Sequence, residues 1–388
     1  MLKTAPLVLI MILLTWGNLW GQNDASDLKV FGYFQNEFEF FSGGSGAAYR
    51  EDRSSTSFLL QQLNLFLQRD ISDSWRAFVN FELYSTYSSE QNWGAFSLQE
   101  AWIRYRYDNR FNLKLGLQTP IFNNLNTVKN RTPLLPYIVR PLVYETSFSE
   151  FINTGEYVPD LAFVQVYGFF PLNSVKLDYA VYTGNSGDIS RDEFGRSATD
   201  TTADLMVGAR LGVRVDTGLE GELKAGVSST YEKTNFFAQY ATLLEYPIDQ
   251  LRDLSKIRLG GDLQYIRGPL RLQSEYILVL YDEGIEGLST DREFYHLIGG
   301  WQFDDHWMAY VNVNATEEDL SFAENLGDPF LTTDFTIRVT MLGLNYSFND
   351  RITFKSAYGY VNLRTDPYVD FAPTNDFYFV GLACSVIF

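Results

Sequence analysis

Sixteen segments of this chain alternate apolar and polar residues with a period of two, and the connections between them alternate as well. In "SWRAFVNFELYSTY", Trp75, Ala77, Val79, Phe81 and Leu83 alternate with Arg76, Phe78, Asn80, Glu82 and Tyr84. "DLMVGARLGVRV" sets Leu205, Val207, Ala209, Leu211, Val213 and Val215 against Met206, Gly208, Arg210, Gly212 and Arg214. A period of two is a strand with two unlike faces. Such segments fall near 28–41, 57–69, 74–87, 96–107, 111–119, 160–170, 174–183, 203–215, 219–232, 256–266, 269–281, 293–303, 306–316, 333–348, 351–363 and 376–388. Many run 11 to 14 residues, against ~9–11 for a tilted strand crossing a bilayer and ~5–6 in soluble sheets. Seven connections are tight turns ("DISD", "DNR", "PLN", "DTG", "RG", "DD", "ND"). They alternate with eight longer loops near 42–56, 88–95, 120–159, 184–202, 233–255, 282–292, 317–332 and 364–375. Even strand number, short turns on one side and long loops on the other predict an all-β transmembrane antiparallel barrel of 16 strands. In "TDFTIRVTMLGLNYSFND" the apolar parity switches from Phe335, Ile337 and Val339 to Leu342, Leu344, Tyr346 and Phe348, so a bulge or a misplaced strand start is expected near Thr340.

Residues 1–21, with Lys3 ahead of the apolar run "APLVLIMILLTWGNLW", read as a secretory signal peptide cleaved after Gly21, leaving 22–388 as one barrel domain. Aromatics make up 16% of the chain and gather beside the short turns, at Trp75, Tyr107, Phe111, Phe169, Phe170, Phe303, Trp307 and Phe348. They predict an interfacial girdle. A formal net charge of −18 argues against nucleic acid as a partner. One cysteine, Cys384, excludes an internal disulfide and any multi-cysteine metal site. No metal or cofactor is expected.

"KLGLQTPIFNN" (114–124), "LDYAVYTGNSGD" (177–188), "RLQSEYI" (271–277) and "GLNYSFNDRITFKSAYGY" (343–360) resemble segments of the phosphate-selective porin family and related Gram-negative outer-membrane porins. The resemblance implies a sixteen-stranded barrel in the bacterial outer membrane, usually a homotrimer, that passes small solutes. It also implies that the barrel assembly machinery recognises the terminal Phe388, which follows alternate hydrophobic residues in "YFVGLACSVIF". The third loop, 120–159, is the longest, with five prolines, and a loop of that length is usually functional. In porins it folds into the barrel and narrows it. Carried over, that role falls to Lys129, Arg131, Arg140, Glu145, Glu150 and Glu156, with a lid over the mouth as the alternative.

Strand parity places twelve bases inward: Lys29, Arg76, Arg104, Arg106, Lys114, Lys176, Arg210, Arg214, Lys224, Arg258, Arg271 and Lys355. Eight acids join them: Glu37, Glu39, Glu82, Glu100, Asp178, Glu222, Asp262 and Glu275. Inward charges in so wide a barrel should set a field and not fill a core. The wall leans basic, which favours a mild anion preference. Three bases against three acids in the third loop argue against phosphate specificity. Acid gathers instead in "EEDLSFAENLGD" (317–328), either as a solvated charge run or bridged by divalent cations to lipopolysaccharide. A sugar or dicarboxylate channel is the alternative, since Phe31, Tyr33, Phe78, Tyr84, Trp102 and Tyr182 also fall inward. A barrel enzyme or adhesin is disfavoured. Only His296 and His306 are present, no serine motif accompanies either, and His296 reads as a pore-lining polar residue.

Overall fold

The computed structural model describes residues 28–42, 54–84, 95–129, 131–145, 152, 154–187, 189–191, 197–218, 221–240, 247–281, 288–322, 332–366 and 375–388. The signal-peptide reading of 1–21, the constriction candidate Glu150 and the acid-rich 323–328 lie outside them. Among the described residues sixteen long strands form one closed antiparallel sheet. They are β1 (Lys29–Ser42), β2 (Ser55–Asp70), β3 (Trp75–Tyr84), β4 (Ala95–Arg106), β5 (Asn112–Gln118), β6 (Ala162–Leu172), β7 (Val175–Gly184), β8 (Met206–Gly218), β9 (Gly221–Thr234), β10 (Leu254–Arg267), β11 (Leu270–Tyr281), β12 (Asp291–Gln302), β13 (Trp307–Phe322), β14 (Thr332–Asn349), β15 (Ile352–Asp366) and β16 (Asn375–Ile387). Each overlaps the segment expected from alternation. A small hairpin, Ile189–Arg191 with Ser197–Asp200, stands apart from the barrel.

Closure is made by β1 and β16, in register from Tyr33↔Ile387 to Ser42↔Tyr378. Gly32 and Phe388 exchange both backbone hydrogen bonds at 3.0 Å, and a Cβ on Gly32 would collide with the Phe388 ring and the Asn64 carbonyl. The short turns are made by their own side chains. Asp108 accepts from the Arg110 and Phe111 amides at 2.7 and 2.8 Å, and Asp304 from those of His306 and Trp307 at 2.8 Å each. Asn349 does the same for Arg351 and Ile352. This local capture is why Asp and Asn recur there. Around these turns Trp75, Tyr107, Phe111, Phe170, Phe303, Trp307 and Phe348 are exposed on the outer face, as a girdle requires. Phe169, paired with the inward Asp178, is on the other parity.

The expected bulge near Thr340 is absent, since β14 pairs without a shift through that residue on both sides. Ile337, Val339 and Met341 point inward and are buried, while Leu342 and Leu344 point out. The parity switch is therefore one strand with apolar residues on both faces. Its inner face meets protein. Ile277, Val279, Phe294, Ile298, Ile337, Val339, Met341, Val361 and Leu363 of β11–β15 pack against Phe122, Leu125, Tyr137, Ile138, Leu142, Val143, Tyr144, Ile152, Tyr157 and Val158 of the third loop. The lumen along β11–β15 is thus a hydrophobic core, against the expectation that inward residues only set a field.

Candidate functional site

The third loop enters the barrel because the wall supplies partners for its backbone, which a loop buried alone would leave unsatisfied. Lys355, 3% exposed, donates to the carbonyls of Thr132 and Pro133 at 3.0 and 3.2 Å and to Gln35 Oε1 at 2.9 Å. Glu275 accepts the Leu125 amide and the Tyr144 hydroxyl, each at 2.7 Å. Asn314 accepts the Leu142 amide at 3.1 Å and Asn345 donates to the Pro136 carbonyl at 2.6 Å. Arg258 holds the carbonyls of Gly155 and Glu156 at 2.7 and 2.8 Å. The described parts of the loop are therefore fastened to inward-facing residues of the wall. Arg258, Glu275 and Lys355, expected to line open pore, are instead the loop's anchors. His296, 1% exposed, sits opposite Glu275 and Asn314 on the neighbouring strands and is no more accessible.

The open side of the lumen is the opposite arc. There Arg76, Arg104 and Lys114 stand directly across from one another on β3, β4 and β5. Like charges in that relation repel. Arg76 pairs with Asp70 at 2.5 Å. Among the described residues neither Arg104 nor Lys114 has a carboxylate within ion-pair distance, and Lys114 rests its Nζ 4.2 Å over the Trp102 ring. Facing this row is the loop's exposed Arg131, within electrostatic range of Lys114 and Tyr33, while Arg140 and Lys129 are within range of Glu82. Glu100 lies beside them, accepting from the Trp102 indole at 3.4 Å. Towards the short turns the row opens into a cavity of about 360 Å³ lined by residues 70–76, Arg104 and Arg106.

Other predicted residues form closed pairs. Arg210 lies across Gly212 and Gly226, where a Cβ would collide with its guanidinium, and so bridges Asp178 at 2.6 Å and Asp262 at 2.8 Å. Glu222 ties Lys224 at 2.9 Å to Arg214 at 3.6 Å. Lys176 and Arg271 are exposed at the short-turn end, as is Lys29, 3.4 Å from Asp70. Glu37 and Glu39 are buried behind the loop. Within the loop Lys129 pairs with Asp160 at 2.7 Å and Arg140 with Glu145 at 3.4 Å. Glu156 is buried against Lys256 at 3.0 Å. Of the predicted constriction set, then, Arg131 is exposed, Lys129 and Arg140 are mostly buried in pairs with Asp160 and Glu145, and Glu156 fastens the loop to the wall.

Sequence reasoning missed Lys256, Glu232, Arg292 and Glu318, all buried inward charges. They lie at or just beyond the strand ends assumed from sequence, and carrying the inward parity further would have found them. Two bases and two acids leave the basic excess of the wall unchanged.

The inward aromatics are a packed stack. Phe31 meets Phe66 at 5.1 Å, Phe66 meets Phe78 at 5.5 Å and Phe78 meets Trp102 at 4.9 Å, all stacked. Tyr33, Phe66, Phe78 and Tyr182 are buried. The Tyr84 side chain lies outside what is described.

No protein-family model matches this chain, and no curated protein matches it. Among solved structures it is similar to OprB of Pseudomonas putida (11% identity, 94% of each chain, TM-score 0.60). It is also similar to an anion-selective porin from Comamonas acidovorans (12% identity, 94% of this chain and 100% of that one, TM-score 0.59). A third is the outer-membrane channel DcaP of Acinetobacter baumannii (13% identity, 95% and 99%, TM-score 0.57). At such identities the likeness is one of fold, and the chain has the sixteen-stranded barrel of outer-membrane porins, with nothing that singles out the phosphate-selective family.

Proposed function

We propose that this protein is a passive outer-membrane pore for small hydrophilic solutes, mildly anion-preferring and without catalytic activity. The carrying observation is the row Arg76, Arg104 and Lys114 facing Arg131 of the loop, in which Arg104, Lys114 and Arg131 lack paired carboxylates among the described residues. Cations left unneutralised beside a water path attract anions and supply donors that replace lost hydration. Arg210 with Asp178 and Asp262, and Glu222 with Lys224 and Arg214, are closed pairs and contribute little net field.

A sugar path is less well supported, because the aromatic rings spend their faces on one another and Trp102 is covered by Lys114. A dicarboxylate channel would use the same cation row, and swelling of liposomes in sugars against dicarboxylates separates the two.

Assembly as a homotrimer is part of the same reading. β5 has 7 residues, against 16, 18 and 15 in β13, β14 and β15. Seven residues fall short of the ~9–11 needed to cross a bilayer, so that wall requires cover from another copy. One similar structure, OmpT of Vibrio cholerae (14% identity, 94% of this chain and 100% of that one, TM-score 0.52), is described as a trimer form. Lipopolysaccharide, contacted through the acidic outer rim, and the assembly machinery, through Phe388, complete the proposed partners.

Purified protein in planar bilayers under a salt gradient tests the proposal. A reversal potential of anion-selective sign supports it. Zero current, or a cation-selective sign, refutes the corresponding part.

A further inference from the structure

Six ionised side chains meet near the long-loop end of the lumen. Lys256 contacts Glu232 at 2.6 Å and Glu156 at 3.0 Å; Arg258 contacts Glu232 at 2.9 Å; and Arg292 stands 3.8 Å from Glu318. All six are less than one tenth exposed. Tyr281 donates to Glu156 at 2.5 Å and Tyr157 to Glu318 at 2.8 Å. From the fifth loop, Phe236 stacks 4.7 Å under the Arg292 guanidinium, and Phe237 packs on Tyr281 at 5.4 Å. Five of the charges belong to strands β9, β10, β12 and β13; Glu156 alone comes from the third loop, on the helical turn Thr154–Tyr157. The wall by itself holds three bases and two acids, so it is neutral only while Glu156 is in place.

We propose that Glu156 is a removable pin holding residues 154–159 of the third loop to the β9–β13 wall, and that its withdrawal frees these residues to leave the lumen and widen the pore. The inference rests on the pore reading above and adds a device that sets the pore's width. A buried charge network missing one member leaves an uncompensated charge, which is strongly unfavourable in place. The vacated wall is then a site for a small carboxylate.

The test uses the full-length protein with Glu156→Ala and, as a contrast, Lys256→Met, which leaves the network one base short. Heat-modifiable migration identifies folded barrels. Glu156→Ala is expected to show a conductance substate larger than wild type, occupied on the order of a hundredfold more often because the pinned state has lost a buried ion partner. Chymotrypsin should cut faster after Tyr157, buried while the loop is pinned. Millimolar formate should reverse both effects in Glu156→Ala and neither in Lys256→Met. Wild-type conductance and proteolysis in a folded Glu156→Ala barrel overturn the proposal, as does equal action of formate on both variants. If Glu156→Ala gives no folded barrel, Glu156→Gln, which keeps the shape and removes the charge, decides by the same two readouts. Absence of current in the wild type would sink the pore reading alone, since proteolysis still decides whether Glu156 is the pin.

Discussion

Replacing Arg104 and Lys114 with glutamine should reduce the anion preference by an amount that can be worked from their placement. The two occupy directly opposed positions on β4 and β5, and among the described residues neither has a carboxylate within ion-pair distance. A monovalent ion passing about 8 Å away in a water-like medium feels ~0.5 kcal/mol per charge, cut to roughly half by screening at 0.1 M salt. That residue of energy is about a 1.5-fold change in partition for an anion, and the same for a cation in the opposite sense. The anion-to-cation permeability ratio should therefore fall roughly twofold for each substitution and about fivefold for the pair. Reversal potentials across a tenfold gradient of potassium chloride measure it directly. The shift should collapse at 1 M salt, where the screening length is ~3 Å. Lys224→Gln supplies the comparison, because Lys224 is already paired with Glu222 at 2.9 Å, and its shift should be well below that of Lys114→Gln. Equal shifts for paired and unpaired lysines, or no shift in the double variant, would show that the row is not the selective element.

Three further outcomes follow from the geometry. Gly32→Val should block closure, since any Cβ there meets the Asn64 carbonyl and the Phe388 ring; loss of the heat-modifiable band measures it. Leu142→Ala, at a side chain 1% exposed in the lumen core, should cost ~2–5 kcal/mol of loop attachment and appear as faster hydrogen exchange of loop amides, with the barrel strands unaffected. Burial alone would raise the Glu156 carboxyl, but Lys256, Arg292, the Tyr281 hydroxyl and Arg258 together hold it down at about 2. A carboxyl lowered in the folded state stabilises fully above its free value of ~4.3 and loses that contribution as pH falls towards the folded value. Loop attachment should therefore hold at neutral pH and weaken from about pH 4 towards 2, while Glu156→Gln removes this component of the acid dependence; amide exchange against pH reads both.

The sixteen strands were legible because lipid imposes alternation on the outer face and each short turn carries its own Asp, Asn or Gly. Strand ends at the long-loop side were not. Arg292 and Glu318 continue the inward parity of β12 and β13, yet charged residues at a segment's edge read as loop unless a partner is known. The anchoring role of Lys355 and Glu275 was equally hidden. A lone inward charge looks the same in sequence whether it faces water or the carbonyls of Thr132 and Pro133, because the difference lies in a segment more than two hundred residues away.

One signal did locate the buried half of the lumen, although it first read as an irregularity. A barrel strand washed by water inside and lipid outside must alternate, and β3, β4 and β8 do, with Arg76, Asn80, Glu82, Glu100, Arg104, Arg210 and Arg214 on the inner face. A strand covered on both sides has no such constraint and reads as a nearly continuous apolar run. "YILVLY" in β11 is such a run, and in "FTIRVTMLGL" of β14 the apolar residues change face along the strand; the inward members Ile277, Val279, Ile337, Val339 and Met341 are the ones sealed under the third loop. Apolar residues at inward positions of β11, β12, β14 and β15 therefore mark where the loop packs, while β3, β4 and β8 carry charged residues inward. The residues that keep the alternation include the unpaired cations Arg104 and, one strand on, Lys114. The row proposed as selective thus falls where the loop core does not reach, because an unneutralised charge is tolerable only where water can reach it.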